Sequence, residues 1–108
     1  MTYTINGVEH TEFDINKKCA EFDTYNTGQS FVTRRDMVFV DTYISGQLKY
    51  DPCSNPTDTD AIIDNCFDKL NESILRNGGR RKSHWQDTMH KHNCTKLIAA
   101  CICYIEIK

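Results

Sequence analysis

A chain of 108 residues with 39% apolar and 26% charged side chains has the size and composition of one globular domain. A net charge of −2 excludes a polycation built to coat nucleic acid, and the absence of Gly/Pro tracts and low-complexity blocks excludes a wholly disordered chain. The apolar run Leu97 to Tyr104, with Ile105 beyond it, is far shorter than the roughly 20 residues needed to cross a bilayer. The first residues, Met1-Thr2-Tyr3-Thr4, lack the basic start and apolar stretch of a secretory signal. A cytoplasmic location is therefore expected, where the six cysteines stay reduced and serve as small apolar core residues.

Asn6-Gly7 lies between two short β-prone runs and predicts a hairpin over 2–10, because both residues tolerate positive φ. Thr11 can cap a following helix, with Glu12 and Asp14 in its first turn. Residues 23–34 are polar, contain Asn26-Thr27-Gly28 and read as a loop. Asp36 to Ile44 is rich in β-branched and aromatic residues and predicts a strand. Ser45-Gly46-Gln47 marks a turn, and Gln47 to Tyr50 a return strand. Asp51-Pro52-Cys53-Ser54-Asn55-Pro56 then interrupts the chain.

The clearest helix runs from Pro56 to Asn77, capped by Asn55 and ended by Gly78-Gly79. Its apolar stripe is Ile62, Ile63, Cys66, Phe67, Leu70 and Ile74. Ser83 and Gln86 form a Ser-x-x-Gln capping box for another helix, with Trp85 and Met89 facing inward. Thr95 can cap a last helix from Lys96, although its β-branched residues leave a strand as an alternative. The fold class is α+β: a small antiparallel sheet (N-terminal hairpin plus central strands) against three to four helices in one domain, 1–108.

Three constellations carry candidate chemistry. Asp60, Asp64, Asp68 and Glu72 recur every four residues, so on one helix they stack along a ridge that can dock on a basic partner surface. Arg80, Arg81 and Lys82 beside Trp85 combine charge with a stacking plane and form an alternative, nucleic-acid-binding loop. His84, His90, His92 and Cys94 contain zinc-ligand residue types, but only His90 and Cys94 share a helical face, so no metal or other cofactor is expected. No nucleophile elbow and no phosphate-binding glycine loop occurs, so an enzyme is not expected.

Thr4-Ile5-Asn6-Gly7-Val8-Glu9-His10-Thr11-Glu12-Phe13-Asp14-Ile15-Asn16-Lys17-Lys18-Cys19-Ala20-Glu21 at one end, and His92-Asn93-Cys94-Thr95-Lys96-Leu97-Ile98-Ala99-Ala100-Cys101-Ile102-Cys103-Tyr104 at the other, resemble the ends of small tailed-phage and prophage accessory proteins, the NinX-like group. The resemblance covers about a third of the chain and carries no catalytic residues. It implies an accessory role in an infected bacterium. Small phage proteins of this kind often bind and block a host factor or defence system, as anti-CRISPR proteins do, and a host protein with a basic nucleic-acid groove is the expected partner.

Overall fold

A computed structural model describes residues 2–42, 46–75 and 81–107. The α+β expectation holds: antiparallel strands alternate with helices, and the strands form separate small units. β1 (Tyr3–Ile5) and β2 (Val8–His10) pair as a hairpin in which Tyr3 faces His10. Its turn takes φ of 51° at Asn6 and 81° at Gly7, the left-handed pair that the Asn-Gly step favours. Tyr3 and Ile5 turn inward with the period of a strand, and Thr4 turns out.

The first helix, α1 (Glu12–Thr27), opens on a reciprocal cap: Asp14 N–H donates to Thr11 Oγ1, and Thr11 N–H donates to the Asp14 carboxylate. Those hydrogen bonds hold the Asp14 carboxyl below its ordinary range. The helix continues through Asp23 and Thr24, which the polar composition of 23–34 had suggested were loop; Gly28, at φ 74°, ends it. The same stretch contains β3 (Phe31–Arg34), which pairs with β4 (Met37–Thr42). β5 (Gly46–Tyr50) completes the order β3-β4-β5. The expected turn residue Ser45 and the end of the expected strand at Ile44 lie outside the described residues.

Asn16 fastens α1 to the following turn, donating from Nδ2 to Asp51 and accepting the Cys53 N–H at Oδ1. Two side chains just beyond reach back to the turn: the Asp58 carboxylate accepts the Asp51 N–H, and Thr59 donates its hydroxyl to the Pro52 carbonyl.

The long helix expected over Pro56–Asn77 is not formed. α2 (Pro56–Asn65) begins with the Asn55 cap but stops at Cys66, whose φ is −122° and ψ 22°. The Cys66 N–H is shared between the carbonyls of Ile62 and Ile63, the bifurcation of a loosening helix end. One short turn follows as α3 (Phe67–Leu70), and the chain then becomes β6 (Ser73–Leu75), paired with β7 (Arg81–Ser83). The side-chain amides of Asn65 and Asn71 donate back to the carbonyls of Ala61 and Phe67, and such local bonds compete with helix propagation. Gly78-Gly79, the expected terminator, lies outside the described residues. The stripe survives the break at Ile62, Cys66 and Leu70, all buried, but Phe67 is turned outward.

α4 (His84–His92) starts on the expected Ser83–Gln86 capping box and ends at Asn93, φ 49°. α5 (Lys96–Ile107) starts at Thr95 and is a helix, which settles the strand alternative. Every residue from Ile98 to Ile105 is buried. α1, α2 and α4 pack around it, with β1 and α3 also in contact.

All six cysteines are free thiols, and all but the half-buried Cys94 are buried. A hydrogen bond with Cys101, reinforced by burial, pushes the Cys53 thiol up, and Cys103 is pushed up by its bond with Cys66. Burial raises the Cys94 thiol to about 11. These groups stay protonated and inert. Because α5 is enclosed on every side, Ile102→Ala should leave a void that its neighbours cannot refill. We expect a loss of about 2–5 kcal/mol, measured by urea unfolding as a lower midpoint at unchanged slope.

Candidate functional site

Two depressions flank α2, and Asn65 lines both. The first is a cleft of about 520 Å³ between the end of α1, the β4–β5 strands and α2. Asp23 stands at its wall. Tyr50 donates its hydroxyl to one carboxylate oxygen of Asp23, and Tyr104 donates to the other at 2.7 Å. Three elements distant in sequence are thereby joined: α1, β5 and α5. Tyr104 also meets Phe22 edge to face, with ring centroids 5.9 Å apart.

Burial, and then the bond to the Asp23 carboxylate, raises both phenols well above the ordinary tyrosine value of 10.0. Ionisation of either would bury a second negative charge beside Asp23.

The second depression is shallower and lies over the α2–α3 junction. Phe67 and Ile107 form its apolar part, at 57% and 45% exposure. Asp64 and Asp68 stand beside them. The four acids expected to form one ridge are all exposed, but the break at Cys66 distributes them. Asp60 and Asp64 belong to α2, Asp68 to α3, and Glu72 to the turn beyond. Glu72 is engaged by Lys69 at 3.2 Å, whereas among the described residues Asp60, Asp64 and Asp68 have no ion-pair partner. The helix break also frees Phe67 from the core, the feature that the unbroken-helix reading concealed.

The basic alternative is only partly visible. Arg80 lies outside the described residues, and Arg81 and Lys82 contribute backbone to β7. The Trp85 indole is already engaged: Nε1 donates to the Lys96 carbonyl at 2.8 Å, and the Lys96 ammonium sits 4.3 Å from the ring centroid. One face offered for base stacking is thus occupied by a cation–π contact.

The His/Cys residues are spread along α4. His90 is exposed, the His92 ring meets Tyr3 at 6.4 Å, and Cys94 follows the helix. His84 is half-buried, and its Nε2 has no partner among the described residues. No group of three or more His, Cys, Asp or Glu side chains that could hold a metal occurs among the described residues. Asp23, Tyr50 and Phe67 went unnoticed as site residues in the sequence. Asp23 and Tyr104 are 81 positions apart, and no local spacing links them.

The phenols give a pH dependence with a definite sign. Their folded pKa values are raised, so the stabilisation is complete below pH 10.0 and falls as the unfolded chain alone begins to ionise. The melting temperature should therefore fall above about pH 10, and a Tyr50→Phe/Tyr104→Phe variant, less stable at neutral pH, should show a flatter alkaline decline. Calorimetry across pH 7–11 would measure both. No family model matches the chain, and no curated protein or solved structure is significantly similar to it.

Proposed function

We propose that the chain works by protein–protein binding through the α2–α3 face, as a phage-encoded accessory protein that occludes a basic surface of a host protein in the bacterial cytoplasm. Phe67 carries this reading. It is a large aromatic side chain, 57% exposed beside Ile107, with Asp64 and Asp68 at its edge. An apolar anchor with a polar rim is how binding energy is concentrated in protein interfaces. The acids give the partner its sign: carboxylates with no ion-pair partner among the described residues attract a basic surface and steer its approach. Asp60 extends the charge along α2, while Glu72, held by Lys69, contributes less. The resemblance of both termini to phage accessory proteins agrees with a role inside an infected cell. Among the described residues, no helix is long and apolar enough to cross a membrane.

Phe67→Ala should weaken partner binding by about 2 kcal/mol or more, roughly 30-fold, without loss of fold, because the side chain supports no core. Asp64→Lys/Asp68→Lys should slow association and reduce its dependence on salt. The test is affinity capture from nuclease-treated bacterial lysate, read by mass spectrometry, with circular dichroism confirming that each variant is folded. One dominant protein retained by the parent chain and lost from both variants is expected. Equal retention by the variants, or recovery of nuclease-sensitive material alone, would overturn the proposal.

A further inference from the structure

The cleft between β5 and α2 has an unusual wall. Successive residues of a strand point to opposite faces, yet Leu48, Lys49 and Tyr50 all border the cleft. A cleft that touches three consecutive residues runs along the edge of the strand as well as beneath its face. β5 is the last strand in the order β3-β4-β5, and among the described residues β4 is its one strand partner. Alternate N–H and C=O groups of such an edge point away from the sheet, here toward the cleft. The opposite wall is α2, through Asp58, Ala61 and Asn65. α2 packs on α5, which leaves the space between it and β5 open.

The two faces of β5 differ in chemistry. Leu48 has the inner phase with Val40, its partner on β4, and half of it is exposed over the cleft. Together with Ala61 these residues give the cleft an apolar lining. Asp58 stands on the α2 wall, where its carboxylate accepts the Asp51 N–H, and it disfavours a second carboxylate inside. Lys49 has the opposite phase and is exposed on the outer face with Gln47, whose Oε1 accepts from Arg34 at 3.0 Å. Asp41, also on that face, accepts the Ser30 hydroxyl on the β3 side of the sheet. Among the described residues Lys49 has no ion-pair partner.

We propose that an extended peptide segment of another protein, alternating apolar and acidic residues, adds to β5 as a fourth strand in the groove between β5 and α2. Its backbone pairs with the outward N–H and C=O groups of β5, which supplies affinity without regard to sequence. Its apolar side chains enter the cleft of about 520 Å³ and remove the exposed half of Leu48 from water. Its acidic side chains fall on the outer face beside Lys49, as an opposite-charge cross-strand pair. The charges fix the phase: a slip of one residue would turn carboxylates into the cleft beside Asp58 and hydrocarbon toward Lys49 and Arg34. This groove does not depend on the partner-binding reading, because Phe67 forms no part of it.

The test is titration of the full chain with an end-capped hexapeptide alternating valine and glutamate, followed by amide shifts in two-dimensional nitrogen–proton NMR. The controls are the same residues in blocked order, valines first, and a hexapeptide alternating valine and lysine. Saturable shifts centred on Leu48, Lys49, Tyr50 and Ala61 are expected, with binding at least about tenfold weaker for either control. Lys49→Glu should weaken the glutamate peptide by about fivefold and strengthen the lysine peptide. Ala61→Trp, which fills the groove from the helix side, should abolish binding of both. Both positions are exposed, so each variant keeps the fold. Absence of saturable shifts, equal binding of either control, an undiminished response in either variant, or self-association of the chain through β5 that excludes the peptide would each overturn the proposal.

Discussion

The burial of α5 is the constraint on which the rest of the molecule depends. A helix that is apolar on all sides cannot rest on one neighbour, because any uncovered face leaves hydrocarbon in water. Ile98 through Ile105 are enclosed, so α1, α2 and α4 have to approach from different directions, with β1 and α3 in the gaps. Fully buried Ala99, Ala100, Cys101 and Cys103 keep the helix thin enough for that many neighbours. Tyr104 is the exception in size and polarity. Its hydroxyl would carry a desolvation penalty of about 1–3 kcal/mol without a partner, and Asp23 supplies one from α1. Tyr50 meets the same carboxylate from the sheet, so one polar contact fixes the position of β5 against the helical core.

That arrangement explains why the candidate surfaces lie where they do. The sheet is longer than the core it rests on, so its far end overhangs and leaves the cleft under Leu48. α2 is shorter than the stripe of apolar residues on it, so the chain turns at Cys66 and Phe67 swings outward. Asn65, at the last position of α2, borders both depressions. An isolated exposed apolar residue is unremarkable in a folded protein. Phe67 differs in its setting, with a second apolar residue, Ile107, across the same depression and, beside it, carboxylates that have no ion-pair partner among the described residues.

The element starts were legible because each is written in two or three adjacent residues. Asn6-Gly7, Thr11 with Asp14, Asn55-Pro56, Ser83 with Gln86, and Thr95 all act where they stand. Element ends and interruptions were not. The Ile62–Cys66–Leu70 stripe runs unbroken through the point where α2 stops, so periodicity alone continued the helix to Asn77. β3 was missed because it pairs through Arg35-Asp36, a turn without glycine in which Arg35 itself takes φ 55°. The acidic residues were legible as exposed, but their alignment rested on the unbroken helix. Asp23 was hidden for a different reason: it becomes a site residue only when β5 and α5 bring hydroxyls to it.

The sulfur chemistry of the core has a practical consequence. Cys19, Cys53, Cys66, Cys101 and Cys103 occupy α1, the turn before α2, the α2–α3 junction and α5, and none is exposed in the folded chain. An alkylating reagent can reach them only when the surrounding packing opens. Each labelled position would then mark which part of the molecule had separated, and the order of labelling would show whether α5 comes free as a unit or piece by piece. The same buried thiols that contribute hydrocarbon-like packing at equilibrium thus form a set of internal timers for local unfolding.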